Sequence, residues 1–554
     1  MSEGDSMNNA NRNERKRPNV LLITTDQHHF TDIGIHNPKV KTPNLDRLAA
    51  EGFVCDRMYC PNPTCTPTRA SLITGLYPSQ HGAWSLGTKL LDSVPTIGDE
   101  LQRHGFRTAL IGKAHFEPLK STDKYKSLES YPIMQDADFW KGFTGPYYGF
   151  EYIQLARNHT DEAHVGQHYR LWLEENGCDN WKDYFMKPTG KKTYIKRKNL
   201  EPLWRIPEKY HYNVWIAEKS NLKLEEYAKN GDNFFLWASF LDPHRPRIAP
   251  DPWHKMYDPA DIDLPERKKG EHKRNPPHFG LTQVNTSNSN FLVRWWKGLT
   301  GSLKSIKLKK YYQDFRDHGV KMQGLHGMHP QFYNEENLKK EIAAYYGMTS
   351  LLDKYIGVIL DKLEELGLKD NTIVVFTTDH GDFFGQHGLL TKGPFHYEDL
   401  LKLPFIVRYP KSIPRGQISD ALESLIDIPA TLFSMLNIPK PDYMVGVDQS
   451  DVWTAKAKRK REFIICENHH SPELVHLKTY VNDRYKITVY NDQTYGELFD
   501  LQEDPNENEN LWDNKKYQQL KDELLFEFIQ AEISKDYAYC EKKIIKAKKN
   551  TLVL

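Results

Sequence analysis

The sequence predicts an α/β fold: a doubly wound, mostly parallel sheet followed by a smaller C-terminal α+β subdomain. Three observations predict it. Residues 19–25, 106–111 and 371–378 are continuous apolar runs rich in β-branched side chains, the pattern of strands buried on both faces. Each ends in a polar cluster, Asp26-Gln27-His28-His29, Gly112-Lys113-Ala114-His115 and Asp379-His380-Gly381-Asp382, and helical stretches alternate with them. Past Pro439 the texture shifts to short strand candidates and a closing helix.

Taken in order, residues 1–17 are polar and charged and are expected to be a disordered tail. After the first strand, Thr42-Pro43-Asn44 starts a helix carrying Leu45, Leu48 and Ala49, stopped at Gly52. In Cys65-Thr66-Pro67-Thr68-Arg69, Pro67 suits a first helical turn, where its missing N–H costs nothing. Cys65 then sits at or just before a helix N-terminus, whose free N–H groups favour negative charge, and Arg69 adds a fixed planar cation. A further helix is expected over 94–104, ahead of the second strand. From 117 to 334 the pattern loosens into what looks like a long insertion. Its clearest strand, 233–240, feeds Asp242-Pro243-His244-Arg245-Pro246, and its basic stretches at 266–274 and 297–310 read as solvated surface.

Residues 335–366 form the firmest helix, with Leu338, Ile342, Tyr345, Thr349, Leu352, Ile356, Ile359 and Leu363 stepping by threes and fours to Gly367. That stripe is core. The principal unit is placed at 18–440. The subdomain and a Lys-rich tail take 441–554, with strands at 463–466, 479–481 and 485–490 and a helix from about 515 to 533.

The 554 residues carry 75 basic and 74 acidic side chains, a net charge of +1, so a global nucleic-acid footprint is missing. Six cysteines, at 55, 60, 65, 178, 466 and 540, fall far short of a disulfide scaffold and fit no zinc spacing. No membrane span and no signal peptide are visible, which makes the expectation cytoplasmic, or periplasmic or secreted if a leader has been lost.

Asp26 and Asp379 each follow the carboxyl end of a buried strand, the edge where ligands bind in an open α/β sheet. Two carboxylates gathered away from water call for a compensating cation. With the Gln27 carbonyl they offer hard oxygen ligands, favouring Ca²⁺ or Mg²⁺, while the nitrogen of His380 keeps Mn²⁺ open.

Cys65-x-Pro67-x-Arg69 followed by Ile73-Thr74-Gly75 resembles the signature of the type I, formylglycine-dependent sulfatases of the alkaline-phosphatase-like superfamily. The resemblance runs from about 18 to 515, the Glu497–Leu501 and Asp504–Glu507 segments resembling that family's C-terminal subdomain. It implies that a formylglycine-generating maturation enzyme converts Cys65 to 3-oxoalanine. It also implies that Asp26, Gln27, Cys65, Asp379 and His380 hold a divalent ion, generally calcium. Lys113 and Lys392 would contact the sulfate beside Arg69, His115 would handle a proton of the formylglycine hydrate, and His244 would protonate the leaving alcohol. Gln27 departs from the commoner second Asp and is also familiar from choline-sulfatase-like and phosphonate-monoester-hydrolase-like relatives. Ala83–Gly87, after His81-Gly82, lacks the family's frequent Asn.

The implied activity is hydrolysis of sulfate esters, with a sulfated carbohydrate derived from a polysaccharide as substrate. Trp84, Tyr147, Tyr148, Trp295 and Trp296 are candidate sugar platforms, with His159, His164 and His168 as possible pocket lining, although each taken singly is ordinarily packing or surface. The alternatives are a phosphodiester or phosphonate monoester hydrolase, a choline-sulfatase-like enzyme, or a sulfated-glycan-binding protein with unmodified Cys65.

Overall fold

The computed structural model describes residues 17–551 apart from 119–120, 123–124, 187–200, 267, 269, 277–278, 280–334 and 471–474, with backbone alone at 273, 470 and 536–551. Residues 1–16 of the expected N-terminal tail, the basic stretch 297–310 and the pair Trp295 and Trp296 lie outside the described residues.

Eight strands form the central sheet: β1 (Asn19–Thr25), β2 (Phe53–Cys55), β3 (Arg107–Gly112), β4 (Tyr152–Leu155), β5 (Phe234–Ser239), β6 (Thr372–Thr378), β7 (Ile406–Arg408) and β8 (Gln417–Ser419). Their order is β8-β2-β7-β6-β1-β5-β3-β4. All neighbours are parallel except β7, which runs antiparallel to both β2 and β6. Alternate residues of β1 and β6 point into two separate cores, Val20, Leu22, Ile373 and Val375 into one and Leu21, Ile23, Val374 and Phe376 into the other. Both faces are therefore covered, which is why these strands read as unbroken apolar runs.

The main helices are α1 (Pro43–Ala50), α2 (Cys65–Thr74), α3 (Gln167–Glu175), α4 (Tyr212–Asn230), α5 (Glu335–Glu365), α6 (Asp427–Met435) and α7 (Gln518–Thr551). α2 is buried along its whole length and ends at Gly75, whose φ of 66° closes it in the left-handed region.

Two expectations need correction. The stretch 117–334 is not wholly inserted, because it supplies β4 and β5, and β5 sits beside β1 at the centre of the sheet. The closing helix does not stop near 533 but runs to Thr551, through the residues expected as tail. Lysine and alanine are good helix formers, so a Lys-rich run does not end a helix by itself.

The C-terminal sheet is an antiparallel meander of β9 (Ile464–His470), β10 (Val475–Val481), β11 (Tyr485–Tyr490) and β12 (Gly496–Asp500). Leu524, Phe528 and Ala531 of α7 share a core with Ile487 and Leu498 of that meander. Cys55, Cys60, Cys65, Cys178 and Cys466 are buried and free. Among the described residues no helix is long and apolar enough to cross a membrane.

Candidate active site

Register builds the centre of the site. β1 pairs with β6 so that Thr25 faces Thr378, which sets the next residues, Asp26 and Asp379, side by side. On the other flank Gly112 pairs with Ser239. A Cβ at Gly112 would meet the Ser239 carbonyl oxygen at 1.8 Å, and its φ of +111° suits glycine alone. That close approach delivers Lys113 to the same sheet edge. Gln27 and His115 hold left-handed φ values of 60° and 63°, backbone strain of the kind proteins keep at functional positions.

Cys65 opens α2 and faces this edge. Its Sγ lies 3.2 Å from His380 Nε2 and 3.7 Å from Asp26 Oδ1, and Lys392 Nζ approaches it to 2.8 Å. Burial pushes the thiols of Cys55, Cys60 and Cys466 upward. Burial acts on Cys65 too, but Lys113 and Lys392 outweigh it and bring this thiol down to about 6. Electrostatics thus mark Cys65 as the nucleophile candidate among these thiols.

Arg69, buried one turn into α2, donates from Nε to Asp379 Oδ2 at 2.9 Å and from Nη1 to the Lys113 carbonyl and Ser239 Oγ at 3.0 and 2.8 Å. Asp379 Oδ1 accepts from the backbone N–H of Gln27 and of His380, both at 3.0 Å. Lys113 Nζ pairs with Asp26 Oδ2, which also meets His159 Nε2 at 3.1 Å. Burial disfavours the Asp26 carboxylate, yet Lys113, His244 and His159 hold it well below the usual range. His380 turns Nδ1 to the Gly381 carbonyl at 2.8 Å, so Nε2 faces inward.

The ligand atoms of Asp26, Cys65, Asp379 and His380 all lie within 4.8 Å of one another, each buried. Gln27 Nε2 donates to Asp382 Oδ1 at 2.9 Å, and Asp382 Oδ2 accepts from Arg247 Nη2 at 2.7 Å. That chain holds the amide nitrogen of Gln27 and leaves its oxygen as the end for a cation. Two carboxylates, an amide oxygen and an imidazole nitrogen fit a hard divalent ion.

His244 is partly exposed, with Nδ1 2.5 Å from the Arg245 carbonyl and Nε2 3.3 Å from Lys392 Nζ. His115 is buried, its backbone N–H held by Glu129 Oε2 at 2.7 Å, and among the described residues neither ring nitrogen has a partner. Burial, then Arg157, Lys113 and Arg69, press its imidazole well below the usual histidine range.

The structure thus gathers Asp26, Gln27, Cys65, Arg69, Lys113, His244, Asp379, His380 and Lys392 at one sheet edge, with His115 in the same loop as Lys113. Of the other pocket candidates, His159 joins them, stacking on His244 with centroids 3.6 Å apart. His168 instead braces the Leu155 N–H and the Phe143 carbonyl, and Tyr147 donates its hydroxyl to Glu129. Trp84 lies half-buried against His469. Arg157, Ser239 and Asp382, which sequence reasoning passed over, stand beside the site residues. Their one signal was adjacency to strand ends, legible for Ser239 at the end of β5 and for Asp382 after β6, and faint for Arg157 after the four-residue β4.

Comparison with known proteins bears on this geometry. The Sulfatase family model matches residues 18–438, and that of the N-sulphoglucosamine sulphohydrolase C-terminal region matches 385–534. The chain is 26% identical over 528 residues to an arylsulfatase of Clostridium perfringens, covering 92% of this chain and 93% of that one. It is also 26% identical over 546 residues to an N-acetylglucosamine-6-O-sulfatase of Bacteroides thetaiotaomicron, covering 93% and 86%. A solved phosphonate monoester hydrolase from Silicibacter pomeroyi superposes with a TM-score of 0.72 at 21% identity, covering 94% and 96%, a likeness of fold. With one family model spanning the sheet and every loop just described, the chain belongs to the sulfatase family.

Proposed function

We propose that the protein hydrolyses a sulfate ester on a sulfated carbohydrate. The observation that carries this is the convergence of Asp26, Asp379, His380 and Lys392 on the side chain of Cys65, at a buried helix N-terminus. The carbohydrate is supported by the N-acetylglucosamine-6-O-sulfatase relative.

In this reading Arg69, Lys113 and Lys392 surround the sulfate and offset charge developing on its oxygens, held in place beforehand by burial. Formylglycine at position 65 would supply an oxygen nucleophile that can afterwards expel sulfate, and a divalent ion, Ca²⁺ in preference to Mn²⁺ or Mg²⁺, would supply Lewis acidity. Asp26, Gln27, Asp379 and His380 would hold that ion. His244, pressed below the usual histidine range by burial and then by His159, presents Nε2 to Lys392 Nζ and would pass a proton from that ammonium to the departing alcohol oxygen. His115, neutral at ordinary pH, takes a proton from the residue at 65 after the ester is cleaved.

Intact mass of protein co-produced with a formylglycine-generating enzyme tests the first step, because conversion removes about 18 Da from Cys65. Rates on an aryl sulfate, a phosphate diester and defined sulfated oligosaccharides test the second. A chain that matures at 65 and cleaves the phosphate diester faster than every sulfate would move the assignment to the phosphonate-type alternative, which Gln27 favours.

A further inference from the structure

Arg157 follows β4 by two residues, and the Ala156 N–H bonded to the Gly112 carbonyl at 3.0 Å ties its segment beside Lys113. The side chain is 7% exposed, and among the described residues it makes no hydrogen bond and no ion pair; its Nε is enclosed and without a partner. Its charge acts on His115, Glu129, Glu162 and His164. The two carboxylates are already engaged elsewhere. Glu129 accepts from the N–H groups of His115, Phe116 and Glu117 and from the Tyr147 hydroxyl, and Glu162 Oε2 accepts from His159. Next to Arg157, Asn158 Oδ1 and both ring nitrogens of His115 are likewise enclosed and unbonded.

A guanidinium buried without an ion pair is costly for a fold, and its planar fork matches a carboxylate or sulfate in two parallel bonds. Cys65, by contrast, answers to Lys113 and Lys392. Lys113 and Lys392 thus have Asp26 and Cys65 as partners, whereas Arg157 has none among the described residues. We propose that Arg157 anchors a second anionic group of the substrate, a carboxylate or a further sulfate carried near the scissile ester, with His115 lining that subsite. The inference rests on the sulfatase reading above and deepens it: the preferred substrate carries at least two negative groups.

The test uses matured full-length protein and the variants Arg157→Ala, Arg157→Gln and Arg157→Lys. Three probes are compared: 4-nitrophenyl sulfate, a disulfated hexosamine, and a monosulfated disaccharide containing a uronic acid. Arg157→Ala is expected to lower kcat/KM on a doubly anionic probe about 10- to 100-fold more than on the aryl sulfate, chiefly through KM, with Arg157→Lys recovering part of the loss. Whichever doubly anionic probe shows that selectivity identifies the group as sulfate or carboxylate. Calorimetric titration of the disulfated hexosamine into Cys65→Ser chains with and without Arg157→Gln gives the same comparison without turnover. An equal loss on all three probes, with equal binding in the titration, overturns the subsite and leaves the sulfatase reading standing. Wild-type protein inert toward all three probes overturns that reading and the subsite with it.

Discussion

Charge is buried in two parts of this molecule, and the two handle it differently. At the seam between the central sheet and the C-terminal meander the buried cations Lys535, Arg461 and Lys486 each have a carboxylate. Glu467 accepts from the Ser79 N–H and hydroxyl, both at 2.9 Å, and from Lys535 at 2.5 Å. Arg461 clasps Asp427, which also takes the N–H groups of Ser424 and Val447, and Lys486 sits between Glu398 and Glu507. In the active site Arg69, Lys113 and Lys392 face the carboxylates Asp26 and Asp379, while Arg157 and His115 keep unused bonding capacity. Matched charges close on themselves and serve the fold. In the function proposed above, surplus positive charge, held rigidly and out of water, serves an anion that arrives from outside.

The sharpest way to separate the two regions is substitution at their centres. Cys65→Ala is expected to lower sulfatase turnover by at least about 10³-fold, because no other group here can take the nucleophile's part. Its melting temperature should stay within about 3 °C of the parent, since the lost atom anchors no core packing. A collapse in stability would break the comparison. Chelation of divalent ions from the mature protein should come next, cutting activity about 100-fold or more, with recovery on adding back Ca²⁺, Mn²⁺ or Mg²⁺ ranking the metals. Arg461→Ala is the mirror experiment. It strands Asp427 in the interior and should cost about 3–5 kcal/mol in denaturant unfolding, while kcat per folded molecule remains within about twofold.

The same contrast explains what the sequence disclosed. Asp26 and Asp379 were visible because β1 and β6, buried on both faces, are seven-residue apolar runs that end where the chemistry begins. Cys65 and Arg69 were visible because a helix start has its own local grammar. Arg157 was not, since it follows a strand of only four residues, β4, whose pairing with β3 is set by tertiary contact. α4 was missed for a related reason: Tyr212, Trp215 and Tyr227 are buried by neighbours on more than one side, so no single stripe marks it. β12, Gly496–Asp500, has only two apolar side chains, Leu498 and Phe499, too short a run to mark a strand, and its backbone is bound by Asn510. Asp382 and Arg247 lie 135 residues apart and act on Gln27 only through space.

Glu467→Gln offers the finest test of the seam. Burial disfavours its carboxylate, but Lys535 and Lys478 outweigh burial and hold it at about 2, below an ordinary glutamate value of 4.5. A depressed carboxylate stabilises the fold fully above its unfolded value and loses that contribution as pH falls through the folded one. The parent should therefore lose stability between about pH 4.5 and pH 2 through this residue, by roughly 3 kcal/mol at most, from a displacement of that size. The amide cannot titrate, so the variant starts less stable at neutral pH and its unfolding free energy should fall less steeply with acid over that window. Urea melts taken at intervals from about pH 5 downward would show two curves converging. Parallel curves would mean that Lys535 and Lys478 do not hold the carboxylate in solution, and that the seam, like the active site, carries charge its own residues do not neutralise.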